Sequence, residues 1–389
     1  MRRPQGWLIG LLGAALLIGI AAELFRAEVT PSTTAMTVGS ALGGDNTDTA
    51  GYDRAYQPRP FVFPADHGAH PSFRNEWWYV TGNLMDASGR PFGYQLTLFR
   101  IALAPTPPLT DSAWRTQQIY MGHFALTDVQ GKKHHAFERF SREAIGLAGA
   151  QLKPLRVWLD DWALSGTDHD LFPLRVHARQ DAVALDLTLN PLKPIVLQGD
   201  QGLSQKSAEP GNASYYYSYT RLSTQGTVQV GENTFQVTGA SWLDREWSTS
   251  ALGPDQSGWD WFALQLDDGR ELMLYRMRRK DGGTDRFSRG MLITAAGQAR
   301  TLSWNEVDLQ PTGEWSSPTT GDRYPAGWRL RLPAEDLDLT ITPKVANQEM
   351  RLTVHYWEGA VAVDGRFGDQ RLSGQGYLEM TRYEKPVSR

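Results

Sequence analysis

The 389-residue sequence contains no cysteine. Disulfide bonds, thiol catalysis and the attachment of a lipid to a cysteine are therefore excluded. An excess of positive charge is missing too, because 43 Asp and Glu residues outnumber 39 Lys and Arg residues and the formal net charge is −4. Contact with nucleic-acid phosphates requires a basic surface. The composition therefore argues against a general nucleic-acid-binding protein.

Familiar catalytic and cofactor motifs are missing as well. The sequence has no Gly-x-Ser-x-Gly elbow, which leaves a serine hydrolase without support, and no His-Glu-x-x-His, phosphate loop or dinucleotide fingerprint. His67 and His70 form a short pair and His134 and His135 a doublet, but neither has a third ligand at an informative spacing. We therefore predict no metal site and no cofactor.

Helical periodicity is nearly absent after residue 51. Apolar and polar residues alternate instead at positions 92–98, 183–189, 328–332, 337–341 and 352–356. This period of two predicts antiparallel strands with one face toward solvent. Short strands, frequent glycine turns and 14 residues each of Trp, Tyr and Phe predict an all-β protein of closed or nearly closed barrels or sandwiches.

One strand-turn-strand unit occurs twice. Residues 76–100 begin with EWWYV, turn at DASGR and end with LTLFR, while residues 259–276 begin with WDWFA, turn at DDGR and end with LMLYR. The closing segments repeat more weakly, as GASWLDREW at residues 239–247 and GQGYLEM at residues 374–380. A repeat of this length is too long for a solenoid and indicates duplicated domains.

The N-terminal region predicts export. Positive charge at residues 1–3 precedes an apolar run, which is typical of a secretion signal or an uncleaved membrane anchor within residues 1–26. Residues 27–51 are rich in small polar residues and predict a disordered linker. We expect a periplasmic or secreted protein, or one anchored to the cytoplasmic membrane by residues 7–25. The predicted partners are a hydrophobic small molecule, the inner membrane through this segment and a membrane transporter, and no nucleic acid.

Aromatic and ionisable residues concentrate in four segments. These are HPSFRNEWWY at residues 70–79, YMGHFALTD at 120–128, SYYYSYTR at 214–221 and WLDREW at 242–247. In a barrel, tryptophans beside carboxylates and a histidine would line an apolar cavity with a few polar anchors, the usual composition of a small-molecule site.

A structural interpretation of the same residues stays open. Glu76, Arg245 and Glu246 would then form a buried ion-pair network that locks the two repeats together. Trp77, Trp247 and Trp261 would be core side chains.

The four segments resemble the superfamily of hydroxyneurosporene synthase (carotenoid 1,2-hydratase) and AttH-like proteins. The matching stretches are residues 70–82, 122–128, 214–222 and 241–248. The resemblance implies two tandem lipocalin-like antiparallel β-barrels with a ligand cavity, in a superfamily that includes carotenoid hydratases, a fungal isoflavonoid hydratase and fungal cyclases. We place the two domains at residues 52–250 and 251–389.

The chain departs from the carotenoid hydratases at two places. In the carotenoid hydratases, a His-x-Trp motif and a later Tyr-x-Asp motif are implicated in acid catalysis. At the corresponding places this chain has REW at residues 245–247 and YRM at residues 275–277. Arginine does not release its proton readily. Glu246, Glu76 or Asp244 would have to supply the acid, with a pKa that burial has raised.

Our first functional prediction is a binding protein that holds an isoprenoid, polyketide or lipid-like molecule in an aromatic cavity, in the first barrel or between the barrels. The predicted ligand contacts are Trp77, Trp78, Tyr120, Tyr217, Asp244, Arg245, Trp247 and Trp261.

The competing prediction is cofactor-free hydration or cyclisation of an alkene. Glu246 is the first choice of acid and Glu76 the second, with Tyr275 and His123 as proton-network partners and the faces of Trp78, Trp247 and Trp261 stabilising a cation. Arg245 weighs against Glu246, because a neighbouring guanidinium lowers a carboxyl pKa.

Overall fold

The computed structural model describes residues 49–106, 112–249, 252–381 and 383. The predicted signal or anchor and nearly all of the predicted linker lie outside these residues. All described residues belong to one compact unit. None of the helices within them has both the length and the apolar character needed to span a membrane.

Thirteen strands of the described chain form one antiparallel sheet. They are β1 (Asn75–Asp86), β2 (Pro91–Ala102), β3 (Gln118–Asp128), β4 (Lys133–Arg142), β5 (Ala148–Leu152), β6 (Leu155–Leu159), β7 (Trp162–Ser165), β8 (Leu174–Gln180), β9 (Val183–Pro191), β10 (Val196–Leu197), β11 (Leu203–Gln205), β12 (Ala213–Val230) and β13 (Asn233–Ser248). Their order is β4-β3-β2-β1-β13-β12-β9-β8-β7-β6-β5, and β10 and β11 both pair with β12. A short 3-10 helix, Ala65–His67, precedes them.

Ten later strands form a second antiparallel sheet. They are β14 (Gln256–Leu266), β15 (Glu271–Arg279), β16 (Arg289–Ile293), β17 (Ala299–Ser303), β18 (Asp308–Pro311), β21 (Trp328–Leu332), β22 (Leu337–Pro343), β23 (Glu349–Arg351), β24 (His355–Phe367) and β25 (Gln370–Thr381). Their order is β17-β16-β15-β14-β25-β24-β22-β21-β18, with β23 beside β24, while β19 (Glu314–Ser316) and β20 (Arg323–Pro325) pair separately. Two 3-10 helices, Trp304–Glu306 and Pro333–Glu335, complete the elements.

The all-β prediction is confirmed. Of the described residues, 60% lie in strands and 3% are helical, and the sheets form a nearly closed barrel and a half-barrel, as in tandem lipocalin-like proteins. The predicted domain limits at residues 250 and 251 fall outside the described residues and stay a prediction.

The duplicated unit of the sequence corresponds to a repeated strand arrangement. The β1–β2 hairpin begins the first sheet and pairs with its last strand, β13, and the β14–β15 hairpin likewise pairs with β25. Trp77 lies opposite Glu246 in the first repeat, and Trp261 lies opposite Glu379 in the second. The register therefore gives Glu246 and Glu379 equivalent positions.

Strand alternation gives each central strand two buried faces. Trp78 and Val80 of β1 belong to the core of the first sheet, whereas Tyr79 between them packs on the second sheet. Phe262 of β14 is in the second core, and Trp261 beside it meets Tyr79 with 5.2 Å between ring centroids. Because successive side chains point to opposite sides of a strand, the outer faces of the two sheets form a third buried layer.

A substitution at Gly93 tests the contact between the two sheets. A Cβ atom at this position of β2 would lie 2.6 Å from the Cβ of Ala360 on β24. Gly93→Ala should therefore lower the free energy of unfolding by about 1–3 kcal/mol through overpacking, as measured by denaturant unfolding. Gly283→Ala is the control, because its Cβ would meet nothing closer than the Asp281 carboxylate at 3.1 Å. Equal stability of the two variants would contradict the packing described.

Candidate active site between the sheets

A cavity of about 150 Å³ lies where the outer faces of the two sheets meet. This volume can hold a single aromatic ring. The first sheet contributes side chains of β1, β2, β3, β12 and β13, and the second sheet those of β14, β15, β24 and β25. Its aromatic walls are formed by Trp77, Tyr79, Phe99, Tyr216, Trp259, Trp261, Tyr275 and Tyr356. Four carboxyl groups also line it: Asp244, Glu246, Glu358 and Glu379.

Glu358 and Glu379 face each other across neighbouring strands. They are direct partners in the antiparallel register of β24 and β25. The Tyr79 hydroxyl donates a hydrogen bond to Glu358 Oε1 at 2.6 Å, and the Trp259 indole donates one to Glu379 Oε1 at 2.6 Å. Glu358 is buried, with 1% of its surface exposed, and its Oε2 has no hydrogen-bond partner of good geometry among the described residues. Two acidic side chains are therefore neighbours in a place from which water is largely excluded.

Burial and mutual repulsion favour the protonated forms of this pair. Burial, followed by the neighbouring Glu379 carboxyl, raises the pKa of Glu358 well above its usual value. Burial raises the pKa of Glu379 to about 7, with Glu246 and Asp244 adding to the effect and the Trp259 hydrogen bond opposing it. Two like charges this close do not both ionise readily. We therefore infer that the pair retains one proton at neutral pH.

Asp244 is a third buried acid of the cavity. Its Oδ1 accepts hydrogen bonds from the Trp242 indole at 2.6 Å and from Ser218, and its Oδ2 accepts one from Tyr216. Burial raises the pKa of Asp244 to about 7 although all three hydrogen bonds lower it. The three donors fix its orientation, so Asp244 has less freedom to reach a ligand than Glu358.

Glu246 differs from its equivalent Glu379 because it has a cationic partner. Lys206 Nζ lies 3.0 Å from Glu246 Oε1, and the same oxygen accepts a hydrogen bond from Ser214. The ammonium also sits 4.7 Å from the ring centre of Tyr275. Burial lowers the pKa of Lys206, but Glu246 and Tyr275 outweigh it and raise the pKa. Lys206 and Glu246 therefore form an ion pair on the cavity wall.

The two predicted proton-network residues, His123 and Tyr275, also line the cavity. His123 Nδ1 lies 2.7 Å from the Tyr356 hydroxyl, and its Nε2 lies 3.2 Å from Glu138 Oε1. The Tyr275 hydroxyl lies 3.2 Å from Ser204 Oγ. The structure thus brings His123 and Tyr275 together with Trp77, Trp261, Asp244 and Glu246 from the predicted set.

Glu76, the second predicted acid, faces the interior of the first barrel instead. It forms ion pairs there with Arg100 and Arg245, and its Oε2 lies 3.3 Å from His70 Nδ1. Burial alone would raise the pKa of Glu76, but the two guanidiniums and His70 outweigh it and lower the pKa strongly. These contacts form the buried ion-pair network that the structural interpretation expected for Glu76 and Arg245. Glu246 does not take part in it. Arg245 and Glu246 are neighbours on β13 and point to opposite faces.

Four further predicted contacts belong to the first barrel. The Arg245 guanidinium lies 3.9 Å from the ring centre of Trp78, and His70 stacks on Trp247 at 3.8 Å. The Tyr217 hydroxyl lies 2.6 Å from His67 Nδ1. Tyr120 lines a separate cavity of about 300 Å³. None of the four contacts — Trp78, Trp247, Tyr217 and Tyr120 — is among the residues that line the cavity between the sheets.

One group of described residues could hold a metal ion. Asp322, Glu349 and His355 are buried, and ligand atoms of all three lie within 4.8 Å of one another. His355 precedes Tyr356 on β24, so it points away from the cavity between the sheets. The group is not part of the candidate active site.

Sequence reasoning did not select Glu358, Glu379, Tyr356 or Lys206. A weaker signal for Glu379 was present in the repeat, because the closing segment GQGYLEM aligns it with the acid Asp244 of GASWLDREW, although the strand register makes Glu246 its counterpart. Glu358 and Tyr356 have no such counterpart in the quoted motifs.

The fold and the cavity define a tandem lipocalin-like barrel protein with an acidic aromatic site. The chain belongs to the AttH-like family, whose model matches residues 54–383. The crystal structure of an AttH protein from Nitrosomonas europaea is 33% identical, with a TM-score of 0.76 over 86% of this chain and 100% of that one. The AttH-like resemblance is confirmed, whereas membership of the hydroxyneurosporene synthases stays a prediction.

Two fungal proteins show a more distant similarity. Kievitone hydratase from Nectria haematococca shares the fold, with 14% identity and a TM-score of 0.64 over 86% of this chain and 96% of that one. The dehydratase asqC from Emericella nidulans is 23% identical over 226 residues, or 53% of this chain. The match spans only 60% of that dehydratase.

The raised pKa of Glu379 predicts how stability depends on pH. Between pH 4.5 and about 7 the folded state holds a proton that the unfolded state has released, so stability falls as pH rises through this window. Between pH 5 and pH 7, Glu379→Gln should remove about 2 kcal/mol of this fall, at 1.36 kcal/mol per pKa unit. Unfolding in denaturant at pH 5 and pH 7 measures it.

The control is Glu314→Gln, at an exposed glutamate whose side chain is 56% exposed. This substitution should leave the pH dependence of the free energy of unfolding unchanged. An identical dependence in the wild type and Glu379→Gln would show that Glu379 ionises normally.

Proposed function

We propose that this protein is a hydratase or dehydratase that binds a small, largely apolar molecule between the two sheets and works by carboxyl acid–base catalysis. The observation that carries the proposal is the Glu358–Glu379 pair, two directly opposed carboxyl groups in an aromatic cavity. The similarity to a hydratase and to a dehydratase supports it, because these names describe one reaction in opposite directions.

The reaction needs one carboxylic acid and one carboxylate. In dehydration, the acid gives its proton to the leaving hydroxyl, the C–O bond breaks, and the carboxylate takes a proton from the adjacent carbon as the C=C bond forms. In hydration, the acid protonates an alkene carbon while the carboxylate takes a proton from the attacking water. A pair that retains one proton at neutral pH supplies both groups.

The hydrogen-bond partners assign the two roles. The Trp259 indole can only donate, so it favours the ionised form of Glu379. The Tyr79 hydroxyl beside Glu358 can also accept, so it is compatible with a protonated carboxyl. Glu358 is also the more deeply buried of the two. We assign Glu358 as the acid and Glu379 as the base in the direction of hydration, and the two roles exchange in dehydration.

The aromatic walls suit the charge that develops during this reaction. Protonating an alkene, or losing water from a protonated alcohol, places positive charge on carbon. The faces of Trp77, Trp261 and Tyr275 line the cavity and can stabilise a cation by about 0.5–2 kcal/mol each. They also provide the apolar contact area for binding.

The experiment incubates the protein in ¹⁸O-labelled water with kievitone and with single-ring alkenes and their alcohols. Mass spectrometry then follows ¹⁸O incorporation into the alkenes and water loss from the alcohols. Glu358→Gln and Glu379→Gln should each lower kcat/KM at least about 100-fold. Ligand affinity, measured by tryptophan quenching, should stay within about tenfold.

Glu246→Gln separates this assignment from the first choice of the sequence analysis. Glu246 is held by Lys206, so its replacement should keep turnover within about tenfold. Loss of turnover in Glu246→Gln alone would make Glu246 the acid. Tight binding with no turnover by the wild type would favour the binding protein instead.

A further inference from the structure

A row of hydrogen-bonding side chains leads away from Glu358 toward the surface. Tyr356 lies two residues before Glu358 on the same face of β24, and its hydroxyl lies 2.7 Å from His123 Nδ1. The other ring nitrogen, Nε2, lies 3.2 Å from Glu138 Oε1. His123 is 1% exposed, whereas the side chain of Glu138 is 13% exposed. The row therefore begins at a buried acid and ends at a carboxylate that solvent reaches.

Both sheets hold the row in place. His123 and Glu138 are direct partners in the register of β3 and β4, and Tyr356 belongs to β24 of the second sheet. The rings of His123 and Tyr356 stack at 5.6 Å. Glu138 Oε2 accepts a hydrogen bond from the backbone amide of Thr353 at 3.2 Å. The contact between the sheets thus fixes both ends of the imidazole.

The link between Tyr356 and Glu358 lies outside good hydrogen-bond geometry. Glu358 Oε2 is buried without a hydrogen-bond partner of that quality, yet the Tyr356 hydroxyl is close enough to lower the pKa of Glu358. A change of the Glu358 side-chain torsion is therefore the one movement that the transfer requires, and Oε2 has no competing partner among the described residues.

We propose that Glu358, Tyr356, His123 and Glu138 form a proton relay that exchanges the proton of the buried carboxyl pair with solvent. The relay rests on the proposed function, because it serves the acid assigned there.

The donors and acceptors of the row allow a stepwise proton transfer, which can run outward or inward. Glu358 gives its proton to the Tyr356 oxygen, Tyr356 gives its own to His123 Nδ1, and the Nε2 proton of His123 passes to Glu138. At the end Glu358 is ionised, Tyr356 and His123 are neutral, the imidazole has changed tautomer, and Glu138 is protonated. Glu138 then releases the proton to water, and the reverse sequence reloads Glu358. No atom other than hydrogen moves between residues.

The electrostatics of His123 and Glu138 fit this sequence. Burial lowers the pKa of His123, against the opposing effect of Glu138, so the imidazole is neutral and can change tautomer. Burial would raise the pKa of Glu138, but its bonds to His123 and Thr353 outweigh it and lower the pKa. A proton that reaches Glu138 is therefore released readily.

Infrared spectroscopy tests the relay without a substrate. A protonated Glu358 has a carboxylic C=O band, assigned by its loss in Glu358→Gln, and this band shifts when the full-length protein is mixed with D2O. Tyr356→Phe interrupts the row while keeping the ring, and should slow the shift at least about tenfold. His123→Gln interrupts it at a second point and should do the same. Tyr377→Phe, at a buried tyrosine of the neighbouring β25, is the control and should exchange as fast as the wild type.

The outcomes separate the relay from the proposed function. If the band is present and exchanges equally fast in all variants, water reaches Glu358 through the cavity and the relay is wrong, while the acid remains. If no band disappears in Glu358→Gln, Glu358 is not protonated and both ideas fail. Slow exchange in Tyr356→Phe and His123→Gln, with a normal rate in Tyr377→Phe, supports the relay.

Discussion

Packing of the two sheets against each other removes water from both faces of their central strands. On β1 and β14, one set of alternating side chains fills the core of its own sheet, and the other set fills the layer between the sheets. Ionisable groups in the covered part of these strands, such as Glu76 and Asp260, are therefore desolvated. Desolvation disfavours charge, so each such group needs a partner or keeps its proton. The candidate active site is a consequence of this constraint.

The two repeats satisfy the constraint differently. Inside each sheet the register places a carboxylate opposite an arginine, Glu76 with Arg100 in the first repeat and Asp260 with Arg276 in the second. Between the sheets, the equivalent glutamates have diverged. Lys206 neutralises the first of them, Glu246, whereas the second, Glu379, faces another glutamate. Duplication thus explains the shared strand arrangement, and the difference in the partner of the equivalent glutamates explains where the retained proton lies.

Period-two alternation and the repeated Trp-containing hairpin were enough to predict the all-β fold. They could not assign faces, because a strand covered on both sides has no polar face in its sequence. Trp77 and Trp78 are adjacent and equally apolar, yet Trp77 lines the cavity and Trp78 lies in the first barrel. Glu358 was missed for a related reason. It is an isolated acid among the apolar residues of the first half of β24, and only the register of β24 and β25 brings it opposite Glu379.

The central claim is that the Glu358–Glu379 pair holds one proton at neutral pH. Carbon-13 NMR of glutamate carboxyl groups, followed from pH 3 to pH 9, tests it directly, with Glu358→Gln and Glu379→Gln providing the assignments. The account predicts two coupled steps, of which at least one lies near or above pH 7. Titration of both carboxyl groups near their usual pKa of about 4.3 would contradict it.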